Sequence, residues 1–158
     1  MLKKTDVEIA QILLDVIKNP YLENNFKIYK LSKAFDIYHY KGNDCNGWAI
    51  ELAMLRALSQ HHYHTNGDSI FLFPESSARM HLGSVIDREA GVAVVASFAA
   101  APGKLYHVPA YYVHAAGPLD SGMTTPLFIL NKRVRKRSSG AYTDDTVFLK
   151  NVQIVEVG

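Results

Sequence analysis

Asn43-Asp44-Cys45-Asn46-Gly47-Trp48-Ala49-Ile50-Glu51-Leu52-Ala53-Met54-Leu55-Arg56-Ala57-Leu58 is the stretch on which the fold turns. It carries the only cysteine of the 158 residues, at the head of a long apolar run. That run is apolar nearly all round, which predicts a central buried helix from about residue 46 to about residue 60. Cys45 would then stand in the first turn, where free backbone N–H groups and the helix dipole favour a thiolate. A thiolate is a nucleophile, so this reading makes Cys45 a candidate catalytic residue.

Upstream, Thr5 and Glu8 have the spacing of a capping box. Ile9, Ile12, Leu13, Val16 and Ile17 follow on one helical face, and Asn19-Pro20 ends that helix. Residues 21–42 are aromatic and polar and read as irregular structure. Downstream, His61 to Asp68 reads as a polar exit loop, and Ser76 or Ser77 caps a short helix through about Ile86. From Gly91 the pattern changes to strands: 92–98, 106–114, 127–130, 146–149 and 152–157. Pro109 suggests an edge or a bulge in the second of these. Helices first and an antiparallel sheet afterwards is an α+β layout.

The length suits one domain, residues 1–158, with a core of its own. Hydrophobic residues make up 48% and charged residues 20%, which excludes disordered and fibrous classes. A net charge of +2 gives little partner signal. One cysteine excludes an internal disulfide. The N-terminal residues lack the apolar core of a signal peptide, and no run is long enough to span a bilayer. The expectation is a chain made in the cytoplasm and, if it acts elsewhere, exported by another route.

Cysteine catalysis needs a base beside the nucleophile and a third group to orient that base. His107, at the start of the strand 106–114, is the candidate base. His114 is its competitor; seven residues on in a regular strand, it would face the other way. A lone cysteine is as a rule a small buried hydrophobe. The polar, Gly-containing flank and the downstream His strand favour the catalytic reading.

Asp44-Cys45-Asn46-Gly47-Trp48 resembles the Asp-Cys-Ser-Gly-Phe signature of NlpC-type peptidoglycan endopeptidases, small papain-like cell-wall enzymes. Tyr106-His107-Val108-Pro109-Ala110-Tyr111 is similar to the Gly-His-Val-x-x-Tyr-like segment that carries their histidine. Gly117-Pro118-Leu119 is similar to a segment of the amidase effectors delivered by type VI secretion. The likeness covers roughly residues 43–60 and 91–131. Asn46 replaces the family's serine, Tyr106 replaces its glycine, and Pro109 is unusual there. The resemblance implies a papain-like fold and a cysteine amidase in which Cys45 attacks a stem-peptide amide and His107 moves the protons. For the third catalytic residue Asn131 is the leading candidate, with His114 and Asp120 as alternatives. Trp48, Tyr40 and Tyr106 would contact substrate. The implied partners are peptidoglycan stem peptides and a cognate immunity protein, in the periplasm of target bacteria. The alternatives are a protein-modifying toxin such as a glutamine deamidase, and a non-enzymatic module with Cys45 buried.

His61-His62-Tyr63-His64 lacks the spacing and the acidic partner of usual zinc sites, so it reads as solvated loop. No metal and no cofactor is expected. Lys132-Arg133-Val134-Arg135-Lys136-Arg137 reads as a solvated strand end, without a nucleic-acid partner.

Overall fold

The computed structural model describes residues 26–40, 49–132 and 146–157. In it the decisive stretch is a strand. Ala49–Leu55 is extended and buried at every position but the half-buried Met54. A strand covered on both faces needs no polar alternation, so its apolar run looks like that of a buried helix. The expected helix over 46–60 is therefore corrected over 49–55. The expected helix after Ser76 is also a strand, and the helix expected after Thr5 lies outside the described residues.

In chain order the strands are β1 Phe26–Leu31, β2 Phe35–Tyr40, β3 Ala49–Leu55, β4 His62–His64, β5 Ser69–Leu72 and β6 Ala78–Asp87. They continue with β7 Val92–Ala100, β8 Leu105–Val108, β9 Val113–Pro118, β10 Thr125–Asn131, β11 Thr146–Phe148 and β12 Asn151–Glu156. One six-stranded sheet runs β1-β2-β3-β10-β5-β8 and the other β11-β4-β9-β6-β7-β12. Their ladders are antiparallel except β12 on β7, which is parallel. The described residues contain no helix, so the α+β papain-like layout is corrected to an all-β one. No helix among them is long and apolar enough to cross a membrane.

The strand expected over 106–114 is broken in two. Pro109 to Tyr112 makes a turn in which the Tyr112 N–H donates to the Pro109 carbonyl at 3.2 Å and Tyr111 takes a left-handed φ of 70°. β8 and β9 then join different sheets. The face-parity argument separating His107 from His114 no longer applies, because the two histidines share no strand.

Between the sheets Ala53, Leu55, Phe71, Phe73 and Leu127 pack against Ala78, Met80, Ala100 and Ala116. Fully burying a side chain such as Phe73, 0% exposed, contributes about 1.5–3 kcal/mol. Tyr63, Ala93, Val95, Val113 and Leu149 form a second cluster. The β1–β2 turn is tied to the end of β3 by Arg56, whose guanidinium donates to Asp36 at 2.8 and 3.0 Å and also to the Ser32 carbonyl. The Arg56 hydrogen bonds hold the Asp36 carboxyl below its usual range. Residues of this turn, Ser32 to Phe35, and core residues such as Leu55 and Leu127 border a cavity.

Candidate metal centre

Strand β4 reads His-Tyr-His, and alternation along a strand sends its two histidines to one face and Tyr63 to the other. Tyr63 is buried in the second apolar cluster, which fixes that orientation. On the neighbouring strand His114 lies directly opposite His62. Directly opposed residues share a face, so three imidazoles converge on the cavity. Ring centroids are 4.3 Å apart for His62 and His114, 4.9 Å for His62 and His64, and 5.2 Å for His64 and His114. Each offers one ring nitrogen, and these atoms all lie within 4.8 Å of one another.

Hydrogen bonds set the chemistry of those nitrogens. His62 Nδ1 faces the Gln60 carbonyl at 2.6 Å and His114 Nδ1 faces the Tyr112 carbonyl at 3.1 Å. A carbonyl only accepts, so in both neutral rings Nδ1 carries the proton and Nε2 carries the lone pair. His64 Nδ1 meets the Thr146 hydroxyl at 3.1 Å, a partner that allows the same tautomer. Metal-binding histidines are commonly held in this way, by the ring nitrogen that does not bind. The donor set fits a divalent cation that favours imidazole, such as zinc or iron, rather than magnesium or calcium.

The cavity measures about 580 Å³. The opposite wall carries Glu51, Asn131 and Ser69, all buried. Ser69 Oγ donates to Asn131 Oδ1, and Asn131 Nδ2 donates to Glu51 Oε1. Apolar side chains, Phe71, Leu127 and Ile129 among them, line the space between. Phe71 meets the His114 ring edge-on at 5.7 Å, which brings the two walls into contact.

Of the residues expected to form a catalytic triad, the two that are described, His107 and Asn131, stand on different faces of the sheet. Cys45 and Trp48 lie outside the described residues, as does the side chain of Tyr40. Asn131, Ser69 and Val108 are mutually opposed across β10, β5 and β8 and share the inner face, whereas His107 opposes Ile70 on the other. His107 is exposed and meets Asp68 at 3.0 Å. Asp68 also accepts the Ala110 N–H at 2.9 Å, and that bond, with His107 adding to it, holds its carboxyl below the usual range. Asp68 thus clasps the β8–β9 turn. Asp120 lies on an exposed turn, where its carbonyl accepts the Met123 N–H. The Ala101 N–H donates to the Tyr106 hydroxyl oxygen at 2.7 Å, which ties that ring to the turn before β8. Of the histidines read as solvated loop, His62 and His64 are strand and cavity wall, whereas His61 precedes the strand and meets His81. The missed signal was the two-residue spacing of His62 and His64, which is a paired spacing on a strand.

Two facing, mostly antiparallel sheets around such a cavity define a cupin-type fold, one of the jelly-roll architectures. No protein-family model and no curated protein matches the chain. Solved structures do share its fold. The capsular polysaccharide assembling protein CapF from Staphylococcus aureus is 13% identical with a TM-score of 0.59, over 84% of this chain and 34% of that one. Hydroxypropylphosphonic acid epoxidase from S. wedmorenis is 12% identical with a TM-score of 0.54, over 70% of this chain and 56% of that one. The S161A mutant of Bacillus subtilis oxalate decarboxylase OxdC is 17% identical with a TM-score of 0.54, over 78% of this chain and 30% of that one. The chain thus spans between about a third and somewhat over half of these proteins, and at such identities the likeness shows the fold alone. It overturns the papain-like assignment, and with it the reading as a cysteine amidase, its peptidoglycan substrate and its toxin role.

Proposed function

We propose that this chain is a metal-dependent protein of cupin fold that binds a small molecule in the cavity, with His62, His64 and His114 holding a single divalent cation. The observation that carries the reading is the convergence of three imidazole nitrogens within 4.8 Å on one cavity wall. Their tautomers, set through Gln60, Tyr112 and Thr146, support it. HppE, a structure with a TM-score of 0.53 to this chain, is known in an Fe(II) form, which shows that such a fold can hold iron. A cation here supplies Lewis-acid polarisation to an oxygen or nitrogen of the bound molecule. The protein's own part is to fix three donors, hold the molecule between apolar walls and offer polar groups opposite. Enzymatic turnover of that molecule is the function such a site supports best.

The test is metal analysis of protein purified without chelator, then of apo-protein reloaded with zinc, iron(II) and cobalt(II). The expected result is about one ion per chain, lost on His62→Ala or His114→Ala, with three protein donors as in known catalytic sites. Metal content far below one ion in every preparation, or full content in both variants, would overturn the proposal.

A further inference from the structure

Each of the histidine-bearing strands is joined to the other sheet. β4 continues through residues 65–68 into β5, and β8 reaches β9 through residues 109–112. The two crossings run side by side, because Ser69 opposes Val108 where β5 and β8 pair. Asp68 stitches them together. Its Oδ1 accepts the Ala110 N–H at 2.9 Å, and its Oδ2 meets His107 Nε2 at 3.0 Å. Its own carbonyl accepts the Lys132 N–H at 3.0 Å, which fixes it to the chain just past β10. The turn that Asp68 grips makes contacts of its own to two proposed metal ligands. The Tyr111 N–H donates to the His64 carbonyl at 2.7 Å, and the Tyr112 carbonyl accepts from His114 Nδ1 at 3.1 Å. One turn thus holds the backbone of one ligand and the ring of another. It does so in a conformation that costs energy. Pro109 to Tyr112 is closed by the Tyr112 N–H and has a positive φ at its third residue, a type II pattern that favours glycine there. This chain places Tyr111 at that position, at φ 70°. A bulky residue persists in the left-handed region only where its surroundings enforce it. The N–H just before it is the one that Asp68 holds.

From this arrangement we infer that Asp68 is a positioning residue for the metal centre. It holds the Pro109–Tyr112 turn in its strained shape and, through that turn, sets His64 and His114 for a common ion. The inference rests on the proposed metal centre and adds what controls it from outside, since Asp68 is not among the described residues that line the cavity. A carboxylate suits the task because it presents two accepting oxygens, one for a backbone N–H and one for an imidazole. The exposed His107 becomes the other half of this clasp rather than a base. Alanine at position 68 would hold neither partner, whereas asparagine would keep an acceptor for the Ala110 N–H and lose the charge.

The test uses the full chain loaded with cobalt(II), whose visible spectrum reports the geometry of its ligands. Affinity is read by competition with a chromophoric chelator, and unfolding of the metal-free protein is followed alongside. Asp68→Ala should lower cobalt(II) affinity about tenfold or more, in the range for losing an outer partner of a ligand, and should shift the visible bands. Asp68→Asn should keep the wild-type spectrum and recover most of the affinity. His107→Ala removes an exposed side chain and half of the clasp. It should weaken binding in the same direction by a smaller factor, and it is the deciding variant if Asp68→Ala does not fold. Wild-type affinity and spectrum in Asp68→Ala would overturn the role of Asp68 and leave the metal centre standing. So would a less stable metal-free protein with an unchanged spectrum, which is the mark of a merely structural residue. Equal losses in Asp68→Ala and Asp68→Asn would also overturn it, because charge rather than position would then matter. Failure of wild type to bind cobalt(II) would overturn both.

Discussion

His62 and His114 face each other across the β4–β9 ladder, with ring centroids 4.3 Å apart. Backbone register, rather than loop conformation, brings these two donors together. A site built on ladder register is held within narrow limits by the hydrogen bonds of the sheet. The third donor, His64, depends instead on the short strand β11, which supplies Thr146.

That dependence gives a first prediction. Thr146→Val removes the hydroxyl that fixes His64 and keeps the side-chain volume. Metal affinity should fall by about tenfold, the lower end of what losing such an outer partner costs. Competition with a chromophoric chelator measures it.

Thr125 predicts the opposite sign for the same substitution. It is 0% exposed and, among the described residues, its hydroxyl finds no hydrogen-bond partner. Thr125→Val should raise unfolding stability by about 1 kcal/mol, because a buried unmatched hydroxyl carries its full desolvation penalty. Urea denaturation reads this directly.

Gly117 predicts a coupled loss. A methyl group there would come within 2.7 Å of Leu58 Cα and 2.8 Å of Leu58 N, backbone atoms that cannot move independently. Ser59, the next residue, is stitched to Ala116 by N–H···O contacts of 3.0 and 3.1 Å, one to each of its backbone groups. Gln60 follows, and its carbonyl holds His62. Gly117→Ala should cost about 1–3 kcal/mol in stability, in the range of overpacked cores. It should also weaken metal binding without touching a ligand.

His81 predicts a pH dependence. It is buried, and its Nδ1 meets His61 Nε2 at 2.8 Å. Burial lowers the pKa of both rings from 6.5, and His61 and Arg79 lower that of His81 further. In the folded state both rings therefore stay neutral at a pH where the unfolded chain has taken up protons. The unfolded state binds more protons in that window, so stability rises with pH there. The contribution is complete above pH 6.5 and is lost as pH falls below it. His81→Gln should flatten the slope of Tm against pH below that value. A slope equal to wild type would contradict it.

Much of the sheet was legible in the sequence. The runs at 92–98, 127–130, 146–149 and 152–157 are strands close to their expected bounds. β-branched residues bounded by turn signals state their structure locally. Ala49 to Leu55 does not, because burial on both faces erases the period that distinguishes strand from helix. That one misassignment carried the cysteine, its helix dipole and the amidase reading with it. Two of the metal-site residues were visible as a pair only once β4 was known to be a strand. His114 had been weighed as a partner for Cys45, whereas its true neighbours stand about fifty residues earlier. Glu51 gave no signal, since a lone carboxylate in an apolar run reads as the polar edge of a helix.

The placement of Thr146 has a consequence for the order of events in synthesis. It stands 82 residues beyond His64, the histidine it orients. The donors on β4 and β9 can emerge and pair before β11 is made, but the Thr146 contact to the third imidazole forms only when β11 docks. A nascent chain stopped before Thr146 would carry all three donors and hold one of them loosely. On the proposed reading, full-strength metal capture would therefore wait for the β11–β4 pairing and would report that this pairing has formed.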